Sequence, residues 1–480
     1  MLFNSLEFAI FLPLVFLLYW FAFRKNLRLQ NLFIIAVSFL FYGWWDWRFL
    51  FLLLFSTSLD FFTGIQLGRI SGGRSRRLFF TLSVVVNLSF LGFFKYFNFF
   101  AENFAALAGK LGFHPDMVTL NIILPVGISF YTFHSLSYVI DVYHRRKTPC
   151  HDPTAFFAFI SFFPLLVAGP IVRSTQFLPQ FEHQRKFDPA AARDGLRQML
   201  WGFFKKMVVA DNCAHWVNTI FPNYRHESSA TLIAGAVLFA FQIYGDFSGY
   251  SDIAIGTARL FGFSLMKNFS FPYFSRDIAE FWRRWHISLS TWFRDYVYIP
   301  LGGSKVSRAK VVRNTFIIFL LSGFWHGANW TFIAWGLLHA LYFIPLLLFG
   351  RNRNNLETAA HGRVLPSVKE LLQIVLTFAL VTLAWIFFRA PNVHEAFGYI
   401  RHIFTIPLGA VRTLEDETIH TVAWFIGIMM VVEWLQREYV HGLNMDRIGS
   451  KSLRWLVYMT VAMLIFFHGA SQQTFIYFQF

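Results

Sequence analysis

A histidine lies in the middle of a long apolar stretch in the second half of the chain. His326 belongs to the run Ser-Gly-Phe-Trp-His-Gly-Ala-Asn, inside mostly apolar residues from 311 to 349. If a helix starts near Arg313, a rise of about 1.5 Å per residue places His326 roughly 20 Å along it. Imidazole is well suited to accept and return a proton near neutral pH, and Asn329 on the same helix face could orient it. A buried histidine that only bonds a neighbouring helix explains the residue equally well.

A second histidine follows a basic, aromatic segment. His286, Ser290 and Arg294 recur every four residues, so they would form one row on a helix, just after the basic pair Arg283 and Arg284. Such a helix would lie at the cytoplasmic membrane interface or enter the protein from it. The pattern alone favours an interfacial anchor with His286 as a satisfied surface group. An aromatic stripe runs beside this row: Trp282, Trp285, Leu289, Trp292 and Tyr296.

A dense polar run interrupts another apolar stretch, between residues 242 and 252. Asp246 and Tyr250 are four residues apart, as are Ser248 and Asp252, so two polar rows can face the protein interior. A polar side chain inside a membrane span is costly and marks a site unless a neighbour satisfies it. The alternative is a hydrogen-bonded seam between helices.

Other catalytic motifs are missing from the sequence. No Gly-x-Ser-x-Gly elbow supplies an acyl-enzyme serine, and no His, Asp or Glu cluster has metal-ligand spacing. Cys150 and Cys213 are too few for a closed thiolate metal site. The residues therefore favour direct proton-abstraction chemistry, without a metal.

The elements that carry these residues are predicted to be membrane-spanning helices. The chain has 480 residues, of which 56% are hydrophobic and only 14% charged. Apolar runs are continuous rather than alternating, which excludes a barrel and predicts an all-α integral membrane protein. A run at 155–172, broken by Pro164, is predicted to be re-entrant or buried. Spans are predicted at 5–23, 31–42, 49–67, 78–100, 121–140, 207–221, 230–256, 311–329, 331–349, 370–388, 418–436 and 453–471.

The distribution of basic residues predicts the orientation. The net charge is +16, and alternate loops hold 34 of the 42 Lys and Arg residues, between the spans rather than on one soluble face. We therefore expect no nucleic-acid partner, basic loops in the cytoplasm against membrane lipid, and both termini outside. One membrane-embedded domain is predicted over 1–480, with N-terminal spans in 1–143, a core at about 240–350 and C-terminal spans in 370–480.

These motifs together resemble the membrane-bound O-acyltransferase (MBOAT) family, most closely its alginate O-acetyltransferase (AlgI-like) branch. The resemblance rests on Met-Leu-Phe-Asn-Ser-Leu-Glu-Phe at the start, Tyr-Gly-Asp-Phe-Ser-Gly-Tyr-Ser-Asp, Arg-Arg-Trp-His-Ile-Ser-Leu-Ser-Thr-Trp-Phe-Arg-Asp-Tyr, Gly-Phe-Trp-His-Gly-Ala-Asn-Trp and Phe-Ile-Tyr-Phe-Gln-Phe at the end. It implies a polytopic helical bundle in the bacterial inner membrane, with re-entrant or interfacial helices around a central funnel.

The resemblance also implies roles for single residues. His326 corresponds to the family's essential intramembrane histidine, which would act as general base, and His286 to its second signature position. We expect acetyl-CoA as the donor, no tightly bound cofactor, and a periplasmic acetyltransferase as the partner that modifies an exopolysaccharide such as alginate. Further candidates for binding donor or substrate are Asp246, Tyr250, Asp252, Arg283, Arg284, Ser290, Arg294 and Asn329.

Three other functions remain open from the sequence alone. A D-alanyl transfer protein of teichoic acid modification shares the fold, so the fold does not determine the acyl group. A transporter of a polysaccharide or lipid-linked sugar could use intramembrane His and Asp as a proton relay, although we find no internal repeat of the kind common in carriers. A scaffold for a polysaccharide synthase is the third alternative.

Overall fold

Helices make up the regular structure of the described part of the chain. The computed structural model describes residues 1–113, 119–120, 122–167, 169–409, 417–471 and 473–478, and these residues form no β-strand. The prediction of an all-α protein is confirmed. In chain order the helices are α1 (Leu6–Leu17), α2 (Leu27–Asp46), α3 (Phe49–Arg69), α4 (Gly73–Leu91), α5 (Phe97–Lys110), α6 (Ile128–Tyr143), α7 (Pro153–Ser161), α8 (Phe163–Leu166), α9 (Ser174–Phe177), α10 (Pro179–Glu182), α11 (Pro189–Phe203), α12 (Asp211–Ile220), α13 (Ser229–Leu260), α14 (Ile278–Arg284), α15 (Ile287–Phe293), α16 (Arg308–His326), α17 (Trp330–Leu348), α18 (Val368–Arg389), α19 (Val393–Thr405), α20 (Glu417–Leu435) and α21 (Lys451–His468).

Seven helices in the described part are long and apolar enough to cross a membrane. They are α2, α3, the continuous α4–α5 segment Gly73–Lys110, α13, α17, α18 and α20. The chain is therefore a multi-pass membrane protein. Helix α2 has 20 residues, longer than the predicted run 31–42, because the Asn26 side chain accepts a hydrogen bond from the Leu29 backbone N–H and starts the helix earlier.

Two other predicted segments differ from regular spans. The run at 155–172 contains two short helices, α7 and α8, which meet at the buried Phe162, and they are too short to cross a bilayer. The predicted span 121–140 is helical only from Ile128, and residue 121 lies outside the described residues. These boundaries follow from backbone breaks that hydropathy does not detect.

By internal packing, the residues fall into two compact units. The first unit comprises 1–192 and 257–266, and the second comprises 193–256 and 267–480. A single membrane domain stays a prediction, because packing does not test whether either unit folds independently. In the first unit, the Asp60 carboxylate accepts hydrogen bonds from Ser83 and Asn87, which satisfies a buried charge between α3 and α4. The second unit holds the residues singled out above for chemistry.

Helices α16 and α17 of the second unit pack closely through two glycines. A Cβ atom added to Gly323 would clash with the carbonyl oxygen of Phe332, and one added to Gly336 would clash with that of Phe319. Small residues let backbones approach closely where lipid gives no hydrophobic drive for association. This contact determines where the end of α16, and therefore His326, is placed.

We expect a Gly323→Leu substitution to separate α16 from α17. Overpacking typically costs about 1–3 kcal/mol, and a clash with backbone cannot be relieved by a rotamer change. Detergent-extracted Gly323→Leu protein should aggregate at a clearly lower temperature than wild type, as measured by size-exclusion chromatography after heating. Gly427→Leu is the control, since a Cβ at Gly427 meets no atom within 4 Å. Equal aggregation temperatures for wild type and Gly323→Leu would contradict the role of this contact.

Candidate active site

Two histidines from different parts of the sequence meet in the second unit. His326 is the last residue of α16 and is 2% exposed, while His286 lies between α14 and α15 and is fully buried. Their ring centroids are 6.4 Å apart. The structure thus brings together the two residues proposed to carry the chemistry, although 40 positions separate them in the chain.

Aromatic side chains surround His326. Its ring centroid lies 5.0 Å from those of Trp325 and Trp335, 5.3 Å from that of Phe388 and 5.5 Å from that of Tyr477. Trp335 and Phe388 are themselves at most 1% exposed. Such walls exclude water, which strengthens electrostatic interactions with a reacting group.

His286 occupies a strained backbone position. Its φ angle is +43°, in the left-handed region that residues other than glycine rarely adopt. Its Nδ1 atom lies 3.2 Å from the side-chain oxygen of Asn268, and its Nε2 atom has no hydrogen-bond partner among the described residues. Strain of this kind clusters at functional sites, where the surrounding structure holds it in place. The expected single helix through His286, Ser290 and Arg294 is wrong at its first residue, since His286 precedes α15.

The expectation that Asn329 orients His326 is also wrong. Helix α16 ends at His326, and the extended backbone of Gly327 removes the helical spacing between the two residues. Asn329 instead caps α17, because its side-chain oxygen accepts a hydrogen bond from the Thr331 backbone N–H, and its amide donates to the Pro391 carbonyl. Its side-chain oxygen therefore stabilises the start of α17.

A cavity of about 590 Å³ lies in the second unit, and neither His286 nor His326 belongs to its lining. Ser290 and Ser322 belong to its lining, and each lies one helical turn from His286 or His326. The lining is mostly apolar and includes Trp282 and Phe319. This volume is in the range of pockets that bind small molecules and cofactors.

The arginines predicted to bind donor or substrate differ in their positions relative to this cavity. Arg283 belongs to its lining, but its guanidinium donates hydrogen bonds to the backbone carbonyls of Asn352 and Asn355. Arg284 is paired with Glu280 at 2.9 Å and is not part of the lining. Both side chains therefore stabilise the fold around the cavity rather than present a free cation to it.

Two exposed arginines remain at the cavity. Arg294 belongs to the lining and pairs with Asp295 at 2.6 Å, in the predicted row with Ser290. Arg353, which the sequence did not single out, also belongs to the lining, and its guanidinium makes no hydrogen bond or ion pair among the described contacts. It lies in the loop between α17 and α18, where no helical periodicity indicates which residues share a face.

Asp246 and Tyr250 lie in a buried cluster with the C-terminal segment, residues 473–478. Asp246 pairs with Lys206 at 2.6 Å and accepts a hydrogen bond from the Ile476 backbone N–H at 2.7 Å. Lys206 also pairs with Asp211 at 2.8 Å. The Tyr250 ring packs 4.4 Å from that of Phe475. The cluster thus holds the segment that carries Tyr477 against His326.

Asp252 belongs to a second buried charge network. Its carboxylate pairs with Lys205 at 2.6 Å and accepts a hydrogen bond from Gln198 at 2.6 Å. Lys205 also lies 3.9 Å from Glu433 on α20, and Tyr244 donates to the same glutamate. Neither Asp246 nor Asp252 belongs to the lining of the cavity.

Sequence reasoning missed several of these partners. Glu433 is a charge inside a predicted span, which is the signal that would have identified it. Lys205 and Lys206 were counted with a basic loop, but they occupy a π-helical segment, Phe204–Ala210, and are buried. Within the described residues no group of three or more His, Cys, Asp or Glu side chains could hold a metal ion.

Comparison with known proteins identifies the family. The model of the membrane-bound O-acyltransferase family matches residues 79–383. A probable alginate O-acetylase, AlgI, of Pseudomonas aeruginosa is 39% identical over 408 residues, covering 84% of this chain and 75% of that protein. The peptidoglycan O-acetyltransferase of Helicobacter pylori is 32% identical over 532 aligned positions, covering 100% and 98%. The teichoic acid D-alanyltransferase of Bacillus subtilis is 28% identical over 294, covering 57% and 71%.

The family model matches more than half of the chain, and the matched residues include the two histidines that meet in the buried core. The chain belongs to the membrane-bound O-acyltransferase family and is a multi-pass membrane acyltransferase.

Proposed function

We propose that the protein passes acetyl groups from a cytoplasmic thioester donor, acetyl-CoA, across the inner membrane for O-acetylation of an exopolysaccharide such as alginate. The observation that carries this proposal is the cavity whose lining includes Ser290 and Ser322, one turn from each histidine. A donor that enters there would bring its reactive end to Ser290 and Ser322, within one helical turn of His286 and His326. Alginate O-acetylation is what the name of the Pseudomonas aeruginosa relative describes.

The exposed charge at the cavity fits a donor that carries phosphate. Arg353 and Arg294 are exposed and basic, whereas the interior of the cavity is mainly apolar. Arginine suits phosphate because its planar guanidinium can donate two parallel hydrogen bonds. In this proposal the phosphates of coenzyme A contact Arg353 and Arg294, and the thioester arm extends along Trp282 and Phe319.

The reaction is a direct transfer between a thioester and a hydroxyl. His326 takes the proton from the acceptor hydroxyl as its oxygen attacks the acetyl carbonyl. The new C–O bond forms, the C–S bond breaks, and the thiolate of the donor receives the proton back from His326. His286 either positions the donor or stabilises the negative charge that develops on the carbonyl oxygen.

The orientation and the partner belong to the same proposal. Basic loops in the cytoplasm place the donor side there and both termini in the periplasm. A periplasmic acetyltransferase would then receive the acetyl group and modify the polymer. Peptidoglycan is an alternative polymer, because the Helicobacter pylori relative aligns over the whole length of this chain.

D-alanyl transfer is the second candidate, favoured by the similarity to the Bacillus subtilis teichoic acid D-alanyltransferase. Inverted membrane vesicles that contain the protein separate the two. They are supplied outside with either acetyl-CoA or a D-alanyl carrier-protein thioester, and thiol release is measured. Acetyl-dependent release supports our proposal, and release from the D-alanyl thioester alone contradicts it. A transporter would release thiol from neither.

Arg353→Glu should weaken use of acetyl-CoA. Reversing a charge that contacts phosphate replaces an attraction with a repulsion, so we expect the KM for acetyl-CoA to rise about tenfold or more while kcat changes little. Arg351→Glu, with the same charge change in the same segment, is the control, because Arg351 is exposed but not part of the cavity lining. Equal KM values for both variants would argue against this cavity as the donor site.

A further inference from the structure

Asn268 joins three polar side chains in the buried core of the second unit. It is fully buried, and its side-chain oxygen lies 2.8 Å from the Ser288 hydroxyl and 3.2 Å from Nδ1 of His286. Its amide nitrogen donates to the Ser251 hydroxyl at 3.1 Å. Nothing in the sequence singled out this asparagine, which precedes the strained segment by many positions.

The orientation of the Asn268 amide is determined by its backbone neighbour. The Ser288 backbone N–H, which can only donate, lies 3.3 Å from the atom assigned as oxygen. The atom that faces His286 is therefore the oxygen and can only accept. Asn268 cannot supply a proton to the imidazole.

The Ser288 hydroxyl cannot supply one either. It lies 3.4 Å from Nδ1 of His286, but its single proton is donated to the Asn268 oxygen. Nδ1 thus faces two acceptors, and it satisfies them only when it carries the ring proton. In a neutral imidazole the other nitrogen, Nε2, then holds a lone pair.

The ring environment keeps His286 neutral. Burial lowers the pKa of His286 to about 3, because the charged form loses its hydration. Among the described residues, the titratable group that faces the ring is His326 on α16. The other ring neighbours are uncharged: Phe247 on α13, Phe269, and Trp325 on α16.

The backbone of Asn268 also holds the turn at His286. Its carbonyl accepts a hydrogen bond from the Ile287 N–H at 2.8 Å, and the Ser270 N–H donates to the Arg284 carbonyl at 2.9 Å. These two bonds flank the residue with φ of +43°. They explain how a left-handed conformation persists at a residue other than glycine.

We propose that Asn268 is a positioning residue that fixes the tautomer of His286, so that Nε2 accepts a hydrogen bond from an amide N–H of the thioester donor. The inference rests on the proposed function and deepens it. Of the two roles open to His286, it selects positioning of the donor, since a lone pair cannot stabilise a developing oxyanion. His326 remains the base that takes the proton.

The test compares Asn268→Asp with Asn268→Leu by the pH dependence of thiol release from acetyl-CoA in vesicles. A carboxylate beside Nδ1 keeps the tautomer but stabilises imidazolium, which raises the pKa of His286 by about 1–3 units. Because activity needs an unprotonated Nε2, the acid limb of the rate profile should move to higher pH, with the rate recovering above it. Leucine removes the acceptor and should lower the rate about tenfold at every pH, without moving the limb upward.

Ser251→Ala is the matched control, because it removes one bond to Asn268 but leaves the oxygen that faces His286. Its rate profile should match that of wild type. An Asn268→Asp profile identical to wild type, or an Asn268→Leu rate equal to wild type, overturns the inference while the transferase proposal stands. A wild-type protein that releases no thiol from acetyl-CoA overturns both. Each variant is first checked for a single symmetric peak in size-exclusion chromatography.

Discussion

Replacing His326 with alanine is expected to reduce acetyl transfer by about 10²–10⁴-fold, the usual contribution of a general base. The ring is enclosed by Trp325, Trp335, Phe388 and Tyr477, so no bulk water can take over its role at the same position. We expect the loss in kcat rather than in the KM for acetyl-CoA, because the donor contacts proposed above belong to the cavity lining and His326 does not. Thiol release from acetyl-CoA by vesicles, at several donor concentrations, measures both quantities.

His468→Ala is the control for this substitution. His468 also ends a helix, α21, but it is exposed, and its backbone carbonyl accepts a hydrogen bond from Asn212. Its variant should transfer acetyl at the wild-type rate. A folded and inserted His326→Ala protein with wild-type kcat would show that another group is the base, and His286 would then be the first to test.

The helical class that the sequence predicted is confirmed; both histidines were proposed as site residues from the sequence, which does not show how they meet. A polar residue in an apolar run can be recognised from the sequence alone, and this is why His326 and Asp246 were singled out. The 6.4 Å distance between the rings of His286 and His326 depends on the break after Arg284 and on the glycine contact between α16 and α17. Both are tertiary features that no periodicity encodes.

Charged residues were predicted less well than apolar ones. Arg283 and Arg353 belong to the same cavity lining, yet only the structure shows that Arg283 is bonded to backbone carbonyls while Arg353 is exposed. The same limit applies to Lys206, which pattern analysis assigned to a loop. A basic residue near a span end can serve topology, stability or binding, and its partners decide which.

Lys206→Met is expected to destabilise the second unit and to release the C-terminal segment from His326. Lys206 is 1% exposed and neutralises both Asp211 and Asp246, so methionine would fill a similar volume but leave two buried carboxylates without a counter-charge. Breaking a buried ion pair by removing one partner costs about 3–5 kcal/mol. The temperature at which detergent-extracted protein aggregates should fall by many degrees, and acetyl transfer should fall with it.

The mobility of the C-terminal segment is a more specific readout than the aggregation temperature. Lys206 donates to the Gln473 carbonyl at 3.2 Å, and Asp246 accepts from the Ile476 N–H. A cysteine introduced at Thr474, which is exposed, can report the mobility of the segment through its rate of maleimide labelling and its spin-label spectrum. In the Lys206→Met background we expect a more mobile spectrum at Thr474, because two of the bonds that hold the segment are lost or weakened.

Lys305→Met is the control for Lys206→Met. It removes the same charge from an exposed position and should change neither the aggregation temperature nor the spectrum.

Combining Lys206→Met with Asp246→Asn should lower the stability by less than the sum of the two single changes, since the double variant buries one carboxylate fewer than Lys206→Met alone. Strict additivity would indicate that Lys206 and Asp246 act independently. The C-terminal segment would then be held mainly by ring packing, such as that between Tyr250 and Phe475, rather than by charge.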